Sequence, residues 1–189
     1  HGGSNNGFTI SFWLKEGTLQ KKTIFSKWQD NNNYWRIFIS RNAASMNFEL
    51  KVGGTTHASM VTGAVTSYQG AYTHFVVSVR TDAISAFENE SFIMINGTSV
   101  SVINTTNSNF AQSDFNNTGA PRWARFSGSY FELDQLDEFA AWNNNISQSA
   151  ATSMYNSGTP IDLTKSSGDY RGANGPDSLH AWVRGEKNF

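Results

Sequence analysis

Phe8, Ile10, Phe12 and Leu14 alternate with Thr9, Ser11, Trp13 and Lys15. A period of two fits a strand with one buried face and cannot be wrapped onto a helix. The same period returns along most of the chain, cut at short intervals by turn residues. A second strand is predicted over residues 23–28, followed by the loop signal Asp30-Asn31-Asn32-Asn33. A third runs over 34–40, with Trp35, Ile37 and Ile39 on one face, and Met46, Phe48, Leu50 and Val52 mark a fourth. Gly53-Gly54 leads by hairpin chemistry into residues 56–62, and residues 72–80 carry Phe75, Val77 and Val79 on one side. Phe92 to Ile95, Asn96-Gly97 and residues 98–103 read as a hairpin, because Asn-Gly supplies the two positive φ angles of a type I′ turn.

Residues 104–121 are rich in Asn, Ser and Gly and are expected to form a long surface loop, after which 122–126 and 131–142 regain strand character. One helix is expected near residues 147–156. Ser147 is its N-cap, Ile146 staples onto Ala151, Met154 and Tyr155 face inward, and Gly158 and Pro160 end it. The tail reads as irregular, with one apolar knot at Leu179-His180-Ala181-Trp182-Val183. About ten short strands and one helix imply an all-β fold, a two-sheet antiparallel jelly-roll sandwich. Its boundaries are expected at 7–158, with 159–189 an irregular C-terminal extension packing on the sandwich or on a neighbour.

A chain of 189 residues with 14 Phe and 6 Trp has enough apolar surface for one core of ordinary size. Its net charge of −1 gives no basic footprint for nucleic acid, and no apolar run approaches the roughly 20 residues of a spanning helix. Cysteine is absent, which removes disulfides and thiolate chemistry. Five Asn-X-Ser/Thr sequons are about what the Asn, Ser and Thr content produces by chance, so they carry no argument for glycosylation. The start, His1-Gly2-Gly3-Ser4, is neither a signal peptide nor an initiator Met and reads as a processed product or a piece of something longer.

Five stretches in order carry a family resemblance: Gly7 to Lys15, Thr23 to Lys27, Tyr72 to Val79, Ile93 to Gly97, and Leu136 to Asn143 with the helix and Tyr155-Asn156-Ser157-Gly158 behind it. In that order they resemble the laminin-G-like and pentraxin-like branch of the concanavalin A-like lectin and glucanase superfamily. Family members usually have a strand upstream of the first stretch, and here only six residues precede Gly7. An edge strand without its neighbour exposes backbone groups that seek a partner. The expectation is therefore a fragment of a longer protein, or a homo-oligomer or larger assembly joined through that N-terminal edge strand. Residues 160–163 and 178–186 look like the extension of tailed-phage and bacterial surface versions.

Residues 131–143 hold four of the chain's fifteen acidic residues: Glu132, Asp134, Asp137 and Glu138. Glucanases of the superfamily resemble an E-x-D-x-E or E-x-D-x-x-E strand, in which alternate carboxylates sit about 5–5.5 Å apart in a retaining enzyme. In an unbulged strand Glu132, Asp134, Leu136 and Glu138 share a face, so Leu136 occupies the second acid's place. Glu132 and Glu138 are then about 20 Å apart, which argues against paired catalysis. The resemblance instead places a conformational or calcium-binding aspartate at Asp137. Asp30, Asn31 and Asn32 form an oxygen-rich loop suited to Ca²⁺, which takes six to eight oxygen ligands. Two readings of Asp137 stay open, a cap on backbone N–H groups and, with Asp30 and Asn32, a calcium ligand.

Sugars need aromatic faces and planar polar groups, and Trp28, Tyr34, Trp123 and Arg125 are the candidates for such a surface, against core packing as the alternative. The expected function is a non-enzymatic structural or adhesion module. It would be a virion or surface-appendage protein of decoration or fibre type, extracellular or on a virion, with a glycan or host-surface receptor as partner. A dedicated carbohydrate-binding lectin domain is the alternative and a glucanase the third reading.

Overall fold

The computed structural model describes residues 6–18, 21–41, 43–130, 133–165, 170 and 177–184. Its strands are β1 (Gly7–Lys15), β2 (Lys22–Trp28), β3 (Tyr34–Ile39), β4 (Ser45–Val52), β5 (Thr55–Ala64), β6 (Thr73–Arg80), β7 (Phe92–Ile95), β8 (Thr98–Ser99), β9 (Val102–Thr106), β10 (Ala120–Trp123), β11 (Arg125–Phe126), β12 (Ser129–Tyr130), β13 (Gln135–Trp142) and β14 (Leu179–Val183). Two α-helices accompany them, α1 (Ile84–Glu90) and α2 (Gln148–Tyr155). The first sheet has the order β14-β13-β1-β6-β7-β8 and the second β10-β2-β3-β4-β5-β9, with β11 and β12 forming a separate hairpin. Every pairing is antiparallel, and the two sheets make the jelly-roll sandwich expected from the alternation.

Alternation sorts the side chains as predicted. Phe8, Ile10, Phe12 and Leu14 meet Ile24, Trp35, Ile37, Phe48 and Met60 in the core between the sheets. The opposite face of the first sheet is also covered, contrary to a half-buried β1. Val76, Met94, Ala140 and Trp142 pack there against Ile146, Ala150, Ala151 and Met154 of the α2 region and against Leu163 and Tyr170 beyond it. Ser147 caps α2 by accepting the Ala150 N–H at 3.1 Å, and Asn156 ends it in the left-handed region at φ 44°. The Asn96-Gly97 turn has φ of 50° and 71°, the two positive angles of type I′.

Four elements depart from the expectation. β1 lies between β13 and β6 and is no edge, and the C-terminal segment adds β14 on the far side of β13, pairing Val183 with Phe139 and Trp182 with Ala140. Assembly through an N-terminal edge strand is thereby corrected, and the apolar knot at 179–183 is a strand. Residues 98–103 do not stay in one hairpin: β8 ends at Ser99 and the chain crosses to the second sheet, where β9 pairs with β5. The 104–121 stretch is only partly surface loop, since Phe110 and Phe115 are buried in the core. Helix α1 was unforeseen; it has no side-chain cap and is held by Phe87, fully buried between the sheets.

The acidic strand is bulged. Ser11 pairs with Ala140 but Trp13 with Asp137, so two residues oppose one across β1. Glu138 takes the extra position at φ 47°, the left-handed region a non-glycine residue enters only when its surroundings hold it there. Leu136 and Phe139 therefore both face the inter-sheet core, while Glu138 lines a small cavity on the opposite face with Ser11, Trp13 and His74. Leu136 and Glu138 do not share a face, which corrects the unbulged expectation. Glu132 lies outside the described residues.

Candidate functional site

The sheet face that the sequence candidates define is the outer one of the second sheet, away from the core. Trp35, Ile37 and Ile39 point inward from β3, so Tyr34, Arg36 and Phe38 point outward. A bulge at Ile24 lets both Ile24 and Phe25 face inward and leaves Ser26 and Trp28 outward. Register then assembles cross-strand rows. Trp28 lies between Ala120 and Tyr34, with Lys51 beyond Tyr34, and in the adjacent row Arg122, Ser26, Arg36, Glu49 and Ser59 follow one another. Gly119 makes the approach of β10 achievable, because a Cβ there would lie 2.4 Å from the Trp28 carbonyl.

Polar and aromatic groups are interleaved across this face. The Tyr34 hydroxyl donates to Glu49 Oε1 at 2.6 Å, and Arg36 Nη2 donates to Glu49 Oε2 at 3.0 Å. Burial, and then the Glu49 carboxylate, push the Tyr34 phenol above its ordinary range. The Arg36 guanidinium sits 4.0 Å from the Phe38 ring centre and 4.4 Å from that of Phe126. Arg122 lies 4.7 Å over Trp28, and Lys51 5.9 Å over Tyr34, all within the range of cation–π attraction. The β11–β12 hairpin walls one side. Phe126 meets Tyr34 edge-on at 4.7 Å, Ser26 Oγ donates to the Arg125 carbonyl at 2.7 Å, and Ser127 Oγ reaches Asn31 at 2.6 Å.

Of the four sugar-surface candidates, the structure brings Trp28 and Tyr34 together as register neighbours. Arg125 joins them through its backbone on the hairpin wall. Trp123 is apart: it faces Phe25 at 5.0 Å and Phe139 at 3.6 Å at the rim of the core, and is 39% exposed. Sequence reasoning missed Arg36, Glu49, Lys51, Arg122 and Phe126. Arg36 and Phe38 were legible, since the residues alternating with Trp35, Ile37 and Ile39 must face outward. The partnership with Glu49 depends on the β3–β4 register and has no local signal.

Of the calcium candidates, Asp30 and Asp137 accept backbone N–H groups through their carboxylates. Asp30 Oδ1 accepts the N–H groups of Asn32 at 2.7 Å and Asn33 at 2.8 Å, and the Asn33 amide reaches both carboxylate oxygens. The Asn32 N–H bond, followed by the Asn33 amide, holds the Asp30 carboxyl below the usual carboxylate range. Asn32 accepts the Gly54 N–H through its carbonyl at 3.0 Å. Asp137 is on β13 of the other sheet and accepts the Glu138 N–H at 2.7 Å. Among the described residues no group of three or more His, Asp or Glu side chains is arranged to hold a metal ion; Asp30 and Asn32 lie in the loop after β2 of the second sheet, and Asp137 lies on β13 of the first.

The chain belongs to the concanavalin A-like lectin/glucanases superfamily, whose laminin-G-like family model matches residues 2–151. No curated protein sequence matches it. Among solved structures, it is similar to the carbohydrate-binding module of a Ruminococcus gnavus sialidase, solved with α2,3-sialyllactose. The TM-score is 0.58 at 13% identity, covering 80% of this chain and 83% of that one. Domain 4 of an extracellular arabinanase from Geobacillus stearothermophilus, solved with arabinotriose, gives 0.54 at 16% identity over 81% and 68% of the two chains. Tailspike protein 2 of an Escherichia coli O157:H7 bacteriophage gives 0.61 at 10% identity; the match takes in 95% of this chain but only 24% of the tailspike. At these identities the likeness is one of fold.

Proposed function

We propose that the chain is a non-enzymatic adhesion module that binds glycan on the outer face of its second sheet and is carried on a virion or another extracellular appendage. The observation that carries this reading is the interleaving of Trp28, Tyr34, Phe38 and Phe126 with Arg36, Glu49 and Arg122 on one face. Aromatic faces stack on sugar rings, and a planar guanidinium beside a carboxylate matches vicinal hydroxyls. The sugars bound by the sialidase and arabinanase modules support a glycan ligand, and the tailspike likeness supports an appendage. The non-enzymatic reading is supported by the state of the acids: Glu49 is held by Tyr34 and Arg36, and Glu138 by Trp182 at 2.8 Å and Arg184 at 2.7 Å.

A glycan array probed with the full chain tests this. Saturable binding is expected, weakened about tenfold or more by Glu49→Gln, which removes a charge-assisted partner of Arg36. Binding to no saccharide, or equal binding by the variant, would overturn it. Release of reducing ends from β-glucans would overturn the non-enzymatic part.

A further inference from the structure

Resting on that reading, the geometry points to an anionic glycan, one carrying carboxylate or sulfate groups, as the ligand class of this face. The chain as a whole has a net charge of −1, yet the described part of this face runs the other way. Arg36, Lys51 and Arg122 project from it against one carboxylate, Glu49, which Arg36 already engages at 3.0 Å. Asp30, in the loop between β2 and β3, has both oxygens committed to Asn33 and its own turn. Arg122 and Lys51 are left resting on the rings of Trp28 and Tyr34, without an acidic partner among the described residues.

Arg122 and Lys51 are only part-buried, and both side chains are hydrogen-bond donors with no acceptor atom of their own. A neutral sugar brings hydroxyls that donate as readily as they accept. A carboxylate or sulfate brings acceptors only, together with the charge that the two uncompensated cations lack. Arg122 stands on β10 in the row of the Arg36–Glu49 pair and Lys51 on β4 in the adjacent Trp28–Tyr34 row, so a saccharide lying obliquely across β10, β2, β3 and β4 meets a cation at each end. The central pair remains available for its hydroxyls.

The test is calorimetric titration of the full chain with three oligosaccharides of equal length: one neutral, one carboxylated and one sulfated. The carboxylated or the sulfated ligand is expected to bind at least tenfold more tightly than the neutral one, and which of the two binds identifies the source of the charge. That preference should fall about tenfold in Arg122→Gln and in Lys51→Gln, be partly kept in Arg122→Lys, and weaken with added salt. Equal affinity for all three ligands, or a preference unchanged in both Gln variants while the fold is intact by circular dichroism, would overturn the anionic class and leave the glycan reading standing. Binding of none of the three would count against both.

Discussion

His74 illustrates how strongly one residue can be shaped by the layer laid over the first sheet. Its ring is 2% exposed, clusters with those of Trp13 and Tyr155, which also stack on each other, and shares a hydrogen bond of 2.7 Å between Nε2 and Ser11 Oγ. Burial penalises the charged imidazolium and takes its pKa down to about 3. In the unfolded chain the ring takes up a proton near its ordinary value of 6.5. The unfolded state therefore binds more protons between those two values. The stabilising effect of the neutral ring is complete above about pH 6.5 and is lost as pH falls toward about 3, at up to roughly 1.4 kcal/mol per pH unit. Glu138, which lines the same cavity, has its carboxyl pushed up by burial and slopes the other way, so the comparison must isolate the histidine. Urea unfolding of the wild type and of His74→Leu between pH 4.5 and 7 does so. The wild type should lose stability on acidification faster than the variant, and identical slopes would refute the assignment.

At the scale of elements, β14 completes the first sheet and is fastened by Glu138. The bulge turns that carboxylate to the outer face, where the Trp182 indole and Arg184 guanidinium donate to it from the end of β14. Glu138→Gln should cost about 1–3 kcal/mol, the usual worth of hydrogen bonds to a charged group, and a chain ending before Leu179 should lose hydrogen-exchange protection along β13, whose edge it uncovers. Unchanged protection in the truncated chain would show that β14 contributes nothing to the sheet. These are also the elements that were hardest to read in advance. Strands β1, β3, β4 and β6 were legible from their period of two, and β5 and β7 from the Gly53-Gly54 and Asn96-Gly97 turns beside them. The bulge was not, since its left-handed residue is a glutamate and offers no glycine signal. Nor was β14, whose His180, Ala181 and Val183 are exposed and leave little amphipathic pattern. Trp28 and Tyr34 could be nominated from strand-end position and outward parity, but nothing in the sequence separated them from Trp123, which stands apart at the rim of the core. The left-handed Ala124, φ 45°, which separates β10 from β11, is invisible in the residues.

For the molecule as a whole, the two sheets divide the work. The first carries a second apolar layer on its outer face and is buried on both sides. The second keeps its outer face polar and aromatic, walled by the β11–β12 hairpin. That outer face of the second sheet is the one proposed to bind a saccharide. Heteronuclear NMR titration of the full chain with the tightest-binding array glycan maps it most directly. Shifts should concentrate on Trp28, Tyr34, Arg36, Glu49, Lys51 and Arg122, with the α2 side of the first sheet unmoved. Shifts centred instead on the groove lined by Glu90, Asn145 and Gln148, with the second sheet silent, would contradict the account.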